Sequence, residues 1–409
     1  MIHVCYGLHD KTGRYSKFTG TSMLSVFENT SAPPHSVMVH ILHDNSLSQE
    51  NYERFVYIAG KYGQLIKFYN VEKLCANKLQ FLSERLSSVF SSRFSAGTFY
   101  RLMVDKKFFQ PENVSKIIYL DSDTIVNLDI TELWNYPMND ATIAAVPEMQ
   151  ATHGYMITNK HLLHTGKVKV ENYFCAGIIT IDLEKLDPNF FYRGVQWLSE
   201  NNKCECFDQD ILNNFFTDTY CKLPEKFDSF VGVAKGLDKN TLYPKIYHYA
   251  GNMALGFDMR NAHDKLFFSN FVKTPWFSEN TILHLFDCAR QIYVERQNFT
   301  IDITVAMSGK ERAFFILPKD EENVKKIFKI KDNEEILKAT SNESLQDLIN
   351  RMKKVKGKKL FYIAVSFEAV RQALLQAGFS QGYDFIDARL FLSDINGSPL
   401  MAHPVLSIM

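Results

Sequence analysis

Several things this sequence lacks narrow its reading before any motif does. No apolar run among its 409 residues approaches the length of a bilayer span, which argues against a helical membrane protein. Net charge is absent too: 46 lysines and arginines balance 46 aspartates and glutamates. No global field therefore recruits nucleic acid or an anionic membrane, and any anionic ligand must be held locally. The opening Met1-Ile2-His3-Val4-Cys5-Tyr6 reads directly as a strand, without the charged region and apolar core of a signal peptide. The seven cysteines are odd in number; Cys204 and Cys206 are too close for an ordinary disulfide and lack zinc-ligand spacing. Reduced structural thiols and a cytoplasmic location are the expectation. No fixed-period repeat is present. What remains is an ordinary globular composition, 46% apolar and 22% charged, long enough for about two or three domains.

The first 250 residues or so alternate short β-like runs with helical patterns. Strands are expected at Ile2–Tyr6, Val37–Leu42, Leu65–Tyr69, Lys116–Leu120, Ile143–Val146 and Ala176–Asp182, and helices at Lys17–Asn29, Gln49–Tyr62 and Thr98–Phe109. This order predicts an α/β domain with a mostly parallel sheet and a ligand crevice beyond the carboxyl ends of its strands. A long helix is expected over Phe268–Gln297. A second alternating block follows, with strands near Phe299–Val305, Ala313–Leu317, Lys359–Val365 and from Asp384, and helices at Glu321–Phe328, Ser344–Lys353 and Phe367–Gln376. The lysine-rich stretch Arg351–Lys359 reads as a solvated helix end and loop, an anionic acceptor site being the weaker alternative.

Chemistry concentrates in Ile117–Val126, an apolar strand cut by Asp121-Ser122-Asp123. Residues i and i+2 of an extended segment point the same way, so two anions lie side by side. A hard divalent cation between them would offset the cost; a plain strand-end turn is the bland reading. His248, in Ile246-Tyr247-His248-Tyr249-Ala250-Gly251, is either a core histidine or a nitrogen ligand completing a mixed site. Phe207-Asp208-Gln209-Asp210 opens an apolar helix, and one of the two aspartates is expected to cap it. Cys175-Ala176-Gly177 precedes a strand with side chains small enough for close backbone approach.

In this order, together with Tyr100-Arg101-Leu102, these segments resemble glycosyltransferase family 8, retaining, nucleotide-sugar-dependent enzymes. The resemblance covers about residues 1–280. It implies a GT-A fold, a Rossmann-like nucleotide-sugar-binding domain, with a smaller C-terminal α/β add-on domain over 281–409. It also implies that Asp121, Asp123 and His248 ligate Mn²⁺, or alternatively Mg²⁺, together with the diphosphate of a UDP-sugar. Tyr15 falls where a tyrosine stacks on uracil, and Tyr6, Leu8, Ser122 and Gly251 are counted with the donor site. Arg101 falls where an arginine contacts the sugar, and without the family match it reads as a surface charge. Asp208 matches an aspartate holding the sugar hydroxyls, Gln209 the residue beneath the anomeric carbon. Ala176 and Gly177 would line the sugar pocket by their backbone, while Asp129 and Asp182 are structural. The chain departs from the family pattern at Cys175, where asparagine is common. It departs again at Ala254, where a diphosphate-binding lysine is common; Lys245, Arg260 or a mobile-loop residue are the candidates to supply that charge. The usual acidic residue of the first loop is also shifted, toward Leu8, His9 and Asp10.

The resemblance thus implies Mn²⁺-dependent transfer of a hexose, galactose ahead of glucose, to a glycan or glycoprotein acceptor. The C-terminal block resembles add-on modules of bacterial members that extend O-glycans on serine-rich surface adhesins. The alternatives are a UDP-glucose-dependent transferase of lipopolysaccharide or teichoic-acid assembly, a non-catalytic glycan-binding module, and a Mg²⁺-dependent phosphohydrolase. The apolar, uncharged tail Met401–Met409 supports at most peripheral membrane contact.

Overall fold

The computed structural model describes residues 1–86, 96–109, 112–154, 161–164, 166–201, 204, 206–231, 240–250, 261–278, 309–339, 344–365 and 367–388. It divides into two compact units, Met1–Ser278 and Glu279–Ile408.

The strands of the first unit are β1 (Ile2–Leu8), β2 (Val37–His43), β3 (Leu65–Asn70), β4 (Lys116–Leu120), β5 (Thr124–Val126), β6 (Ile143–Pro147), β7 (Phe174–Asp182), β8 (Cys221–Lys222), β9 (Ser229–Phe230) and β10 (Ile246–His248). Seven form one sheet in the order β3-β2-β1-β4-β7-β6-β8. Val4, Cys5 and Tyr6 of β1 are all fully buried, the mark of a strand covered on both faces. β1 to β4 run parallel, whereas β7 is antiparallel to both β4 and β6. From β1 the chain steps outward through β2 and β3, then returns to β1's other side with β4. That reversal is a topological switch point, where α/β sheets open a crevice. Leu8 and Leu120 end the two strands flanking it. A second, small sheet, β5-β10-β9, pairs His248 with Thr124.

The helix Arg14–Glu28 begins after Gly13, whose φ of 77° lies in the left-handed region that glycine enters without strain. Asp10 is buried and its carboxylate accepts the N–H groups of Tyr15 (3.0 Å) and Ser16 (2.8 Å), so the helix start is satisfied from the loop. This helix is buried almost all round, and a Cβ on its Gly20 would lie 2.1 Å from the Trp276 ring.

One expected helix is shorter in the structure. Thr98–Phe109 resolves into a 3-10 turn, Ala96–Phe99, and one α turn, Tyr100–Met103, after which Val104 is extended. Lys78 donates to the Met103 carbonyl (2.6 Å), satisfying it from outside the helix. Phe99, Leu102 and Met103 are nonetheless buried. Of the helix expected over Phe268–Gln297, the start lies within the helix Ala262–Phe271, and residues 279–297 lie outside the described residues. Pro275 follows closely and biases Thr274 away from helical angles.

In the second unit, β11 (Glu311–Ile316), β12 (Glu335–Lys338), β13 (Lys359–Ile363) and β14 (Phe385–Asp387) form a parallel sheet in the order β12-β11-β13-β14. Alternate residues feed two cores: Ala313 and Phe315 join Leu348, Met352 and Leu374, while Phe314 and Ile316 join Val324 and Tyr362. The strand expected near Phe299–Val305 and the C-terminal tail lie outside the described residues. Among the described residues no helix is long and apolar enough to cross a membrane.

Candidate active site

At the carboxyl end of β4 the chain turns through Asp121-Ser122-Asp123 into β5. Asp121 N–H donates to Gly177 O (2.7 Å), which ties the turn to β7. Ser122 is buried and its Oγ accepts from Thr19 (2.8 Å), which ties it to the helix Arg14–Glu28. β10 lies antiparallel to β5, so His248 arrives beside both aspartates. Its Nε2 is 3.9 Å from Asp121 Oδ2 and 3.5 Å from Asp123 Oδ1, and one ligand atom from each residue lies within 4.8 Å of the others. Those separations are too long for strong hydrogen bonds and leave room for a cation among the three.

The other nitrogen of His248 faces Asp228 Oδ1 at 3.2 Å. Asp228 is fully buried, its Oδ2 has no hydrogen-bond partner, and it immediately precedes β9. A carboxylate on Nδ1 aims the Nε2 lone pair at the aspartates, the arrangement usual behind a metal-bound histidine. Burial alone would depress His248, but the carboxylates of Asp228 and Asp123 outweigh it and hold the ring well above its ordinary value. Burial raises Asp121, with Arg101 opposing and Asp123 adding to the shift. Two carboxylate oxygens and an imidazole nitrogen suit Mn²⁺ or Mg²⁺. Gly177 is what lets them converge: a Cβ there would sit 2.2 Å from His248 Cε1 and 3.0 Å from Asp121 Oδ2.

Arg101 is not a surface charge; it is buried over the Tyr119 ring, 4.5 Å from its centroid. Its Nη2 donates to Asp121 Oδ1 (2.6 Å), its Nη1 to Ala176 O, and its Nε faces Asp208 Oδ2 at 3.0 Å. This last contact is a charge pairing rather than an aligned hydrogen bond. Asp208 is raised to about 7 by burial, against the pull of Arg101. Gln209 Oε1 accepts the Ala176 N–H (2.9 Å), and its Nε2 donates to Glu148 Oε2 (2.8 Å). Neither helix aspartate is the N-cap, which is Cys206; Asp210, inside the helix, accepts from Cys206 N–H and Tyr173 O–H.

Several expectations change in detail. Both backbone groups of Ala176 are engaged, by Gln209 and Arg101, so its N–H is not offered to a sugar. Gly177 serves His248 and Asp121 by being small. Tyr6 and Leu8 have buried side chains, and the Tyr6 hydroxyl bonds Ser22, which leaves only their backbone for a donor. Tyr15 is exposed at the helix start. Cys175 is buried with its thiol against His248, and burial pushes that thiol up. Lys245 lies just before β10 and pairs with Glu225. Asp129 caps the helix Ile130–Trp134, and Asp182 accepts from Glu184 N–H, both structural as expected. Gly251, Ala254 and Arg260 lie outside the described residues. Asp228 and Glu148 were missed because neither stands in a recognisable motif. The same is true of Asp44, which accepts from His9 and Tyr100 and so ties the loop after β1 to the turn carrying Arg101.

A sheet with its crevice at the β1/β4 reversal, closed by an acidic pair and a histidine, defines a GT-A fold. The profile of glycosyl transferase family 8 matches residues 8–253, and the chain belongs to that family. A Haemophilus influenzae protein described as a glycosyltransferase is 29% identical over 215 residues, 52% of this chain and 58% of that relative's length. General stress protein A of Bacillus subtilis is 24% identical over 253 residues, covering 58% of this chain and 82% of that protein. Among solved structures, the galactosyltransferase LgtC in complex with donor and acceptor sugar analogues shares the fold. Its TM-score is 0.51 at 20% identity, over 68% of this chain and 98% of that one.

Proposed function

We propose that this chain is a retaining, divalent-metal-dependent glycosyltransferase that moves a hexose from a UDP-sugar to a glycan acceptor. Galactose is the favoured sugar, and the acceptor an O-glycan on a bacterial surface adhesin. Residues 1–280 form the catalytic domain in this reading, and 281–409 an add-on domain. The observation that carries it is the convergence of Asp121, Asp123 and His248 beside the Arg101–Asp208 pair at the strand-end crevice. A divalent cation bound there, Mn²⁺ in this reading, would act as a Lewis acid on the diphosphate leaving group.

The remaining work falls to the chain's own groups. Asp121, Asp123 and His248 would hold the cation against which the diphosphate end of the donor rests, and Tyr15 offers an exposed ring to the base. Asp208, kept in place by Arg101, takes the sugar hydroxyls. Gln209 is a poor nucleophile, since its amide is neutral and its oxygen already accepts the Ala176 N–H. Front-face attack therefore suits the site better than a covalent adduct. In it, the Gln209 dipole stabilises the cationic sugar and a leaving phosphate oxygen takes the acceptor's proton.

The test is hydrolysis and transfer with a panel of UDP-hexoses and Mn²⁺. UDP-galactose is expected to turn over fastest. Asp121→Asn and Asp123→Asn should abolish turnover while leaving the metal-free melting temperature near wild type. A fully active double variant would remove the metal reading, and a glycosyl adduct trapped on Asp208 or Gln209 would remove front-face attack.

A further inference from the structure

Glu148 is a carboxylate 1% exposed, directly after β6, at the start of a short helix packed on β7. Its backbone is fixed at both ends: N–H donates to Tyr173 O (2.8 Å), and O accepts from Thr152 Oγ1 (2.8 Å). Its side chain reaches across to Gln209, Oε2 accepting from Nε2 at 2.8 Å. A buried anion is costly and persists where its partners are strong and fixed. The other hydrogen-bonding positions of the same amide are also engaged, Oε1 by the Ala176 N–H (2.9 Å) and Nε2 by the Tyr173 hydroxyl at 3.5 Å. The Tyr173 hydroxyl is itself committed to Asp210 (2.7 Å).

These contacts form one connected path. It runs from Glu148 through the Gln209 amide to the Ala176 N–H, and from the Ala176 carbonyl through Arg101 to Asp121 and Asp208. Reversing the amide would set its NH₂ against the Ala176 N–H and its oxygen against the Glu148 carboxylate, two repulsions at once. An anion accepting from the nitrogen also shifts electron density toward Oε1, because linked hydrogen bonds polarise one another.

We infer that Glu148 is the positioning residue of the transfer step: it fixes the Gln209 amide in one orientation and makes its oxygen more negative toward the developing sugar cation. This rests on the glycosyl-transfer reading above and adds a residue to it. No bond to Glu148 forms or breaks, and it acts wholly through Gln209.

The experiment compares wild type, Glu148→Gln, Gln209→Ala and the double variant on the preferred UDP-hexose with Mn²⁺. Calorimetric binding of Mn²⁺ and UDP is measured alongside. Glu148→Gln keeps the volume and removes the charge. It is expected to lower kcat by roughly tenfold or more, with KM for the donor and UDP affinity within about threefold of wild type. The double variant should be no slower than Gln209→Ala alone, because both substitutions remove the same interaction. Multiplicative losses in the double variant, or a loss confined to KM, would overturn the inference. If Glu148→Gln melts well below wild type, Glu148→Asp carries the same test, since it keeps the charge but withdraws it by one methylene. Its kcat should then fall between the other two, and an unchanged kcat refutes the role. A wild-type chain that turns over no UDP-hexose would instead bring down the transfer reading itself, an outcome distinct from an active wild type with an indifferent Glu148.

Discussion

At the scale of single residues, the proposed metal triad depends on two neighbours outside it. Asp228 holds His248 from behind at 3.2 Å. Asp228→Asn should therefore weaken calorimetric Mn²⁺ affinity by about 10–100-fold, as loss of a supporting carboxylate commonly does. Unchanged affinity would make Asp228 a mere packing group. Gly177 has a different part, because any side chain there collides with the His248 ring. Gly177→Ala should lose metal-dependent turnover and also lower the metal-free melting temperature, since the buried ring must be displaced. The triad itself was legible, since Asp121, Asp123 and His248 each sit in a short motif in a fixed order. Asp228 and Glu148 were not, because an isolated acidic residue becomes informative only when folding sets it against a partner dozens of residues away. The environment of Arg101 was likewise illegible: its sequence neighbours do not announce burial between two carboxylates.

At the scale of elements, strands were read more truly than helix ends. β4 has the expected bounds, and β1, β2 and β3 extend one or two residues further. Buried parallel strands are continuous apolar runs, and such runs survive any tertiary context. Helix ends depend on what caps them, and Lys78 and Pro275 act from outside the periodic pattern. The helix Arg14–Glu28 shows the reverse case, a glycine that propensity marks as a weakness but packing requires. Trp276 fills the space above Gly20 and donates from its indole to Asn51 (2.8 Å), joining three segments. Gly20→Ala gains helix propensity yet should destabilise the protein by about 1–3 kcal/mol through overpacking. The measurements are a lower melting temperature and altered Trp276 fluorescence; a stabilised variant would refute the packing argument.

At the scale of the whole molecule, one contribution to acid sensitivity comes from a histidine pair across β1 and β2, His40 buried and His3 half-buried. His3 Nδ1 and His40 Nε2 are 3.0 Å apart, and His40 Nδ1 meets the Tyr69 hydroxyl at 3.0 Å. Burial, aided by the amino terminus for His3 and by His3 and Lys67 for His40, lowers them to about 4 and about 3. Between these values and the ordinary 6.5, the unfolded chain holds protons that the folded chain excludes. The pair's contribution to stability should thus be full above about pH 6.5 and fall as the pH drops toward 4, by at most about 1.4 kcal/mol per pH unit for the buried His40. Asp208, raised to about 7, contributes the opposite slope, so the histidine part is read as the difference between wild type and His40→Gln in melting curves from pH 7.5 to 4: wild type should lose stability relative to the variant as the pH falls. A further consequence lies in the pairing of β10 with β5. On the ribosome, Asp121 and Asp123 emerge long before His248, so the nascent chain carries an acidic pair that lacks its third ligand. Closing so long a loop is slow. A divalent cation in the folding medium should speed recovery of native protein by holding the two strands together, an effect that chelator would abolish.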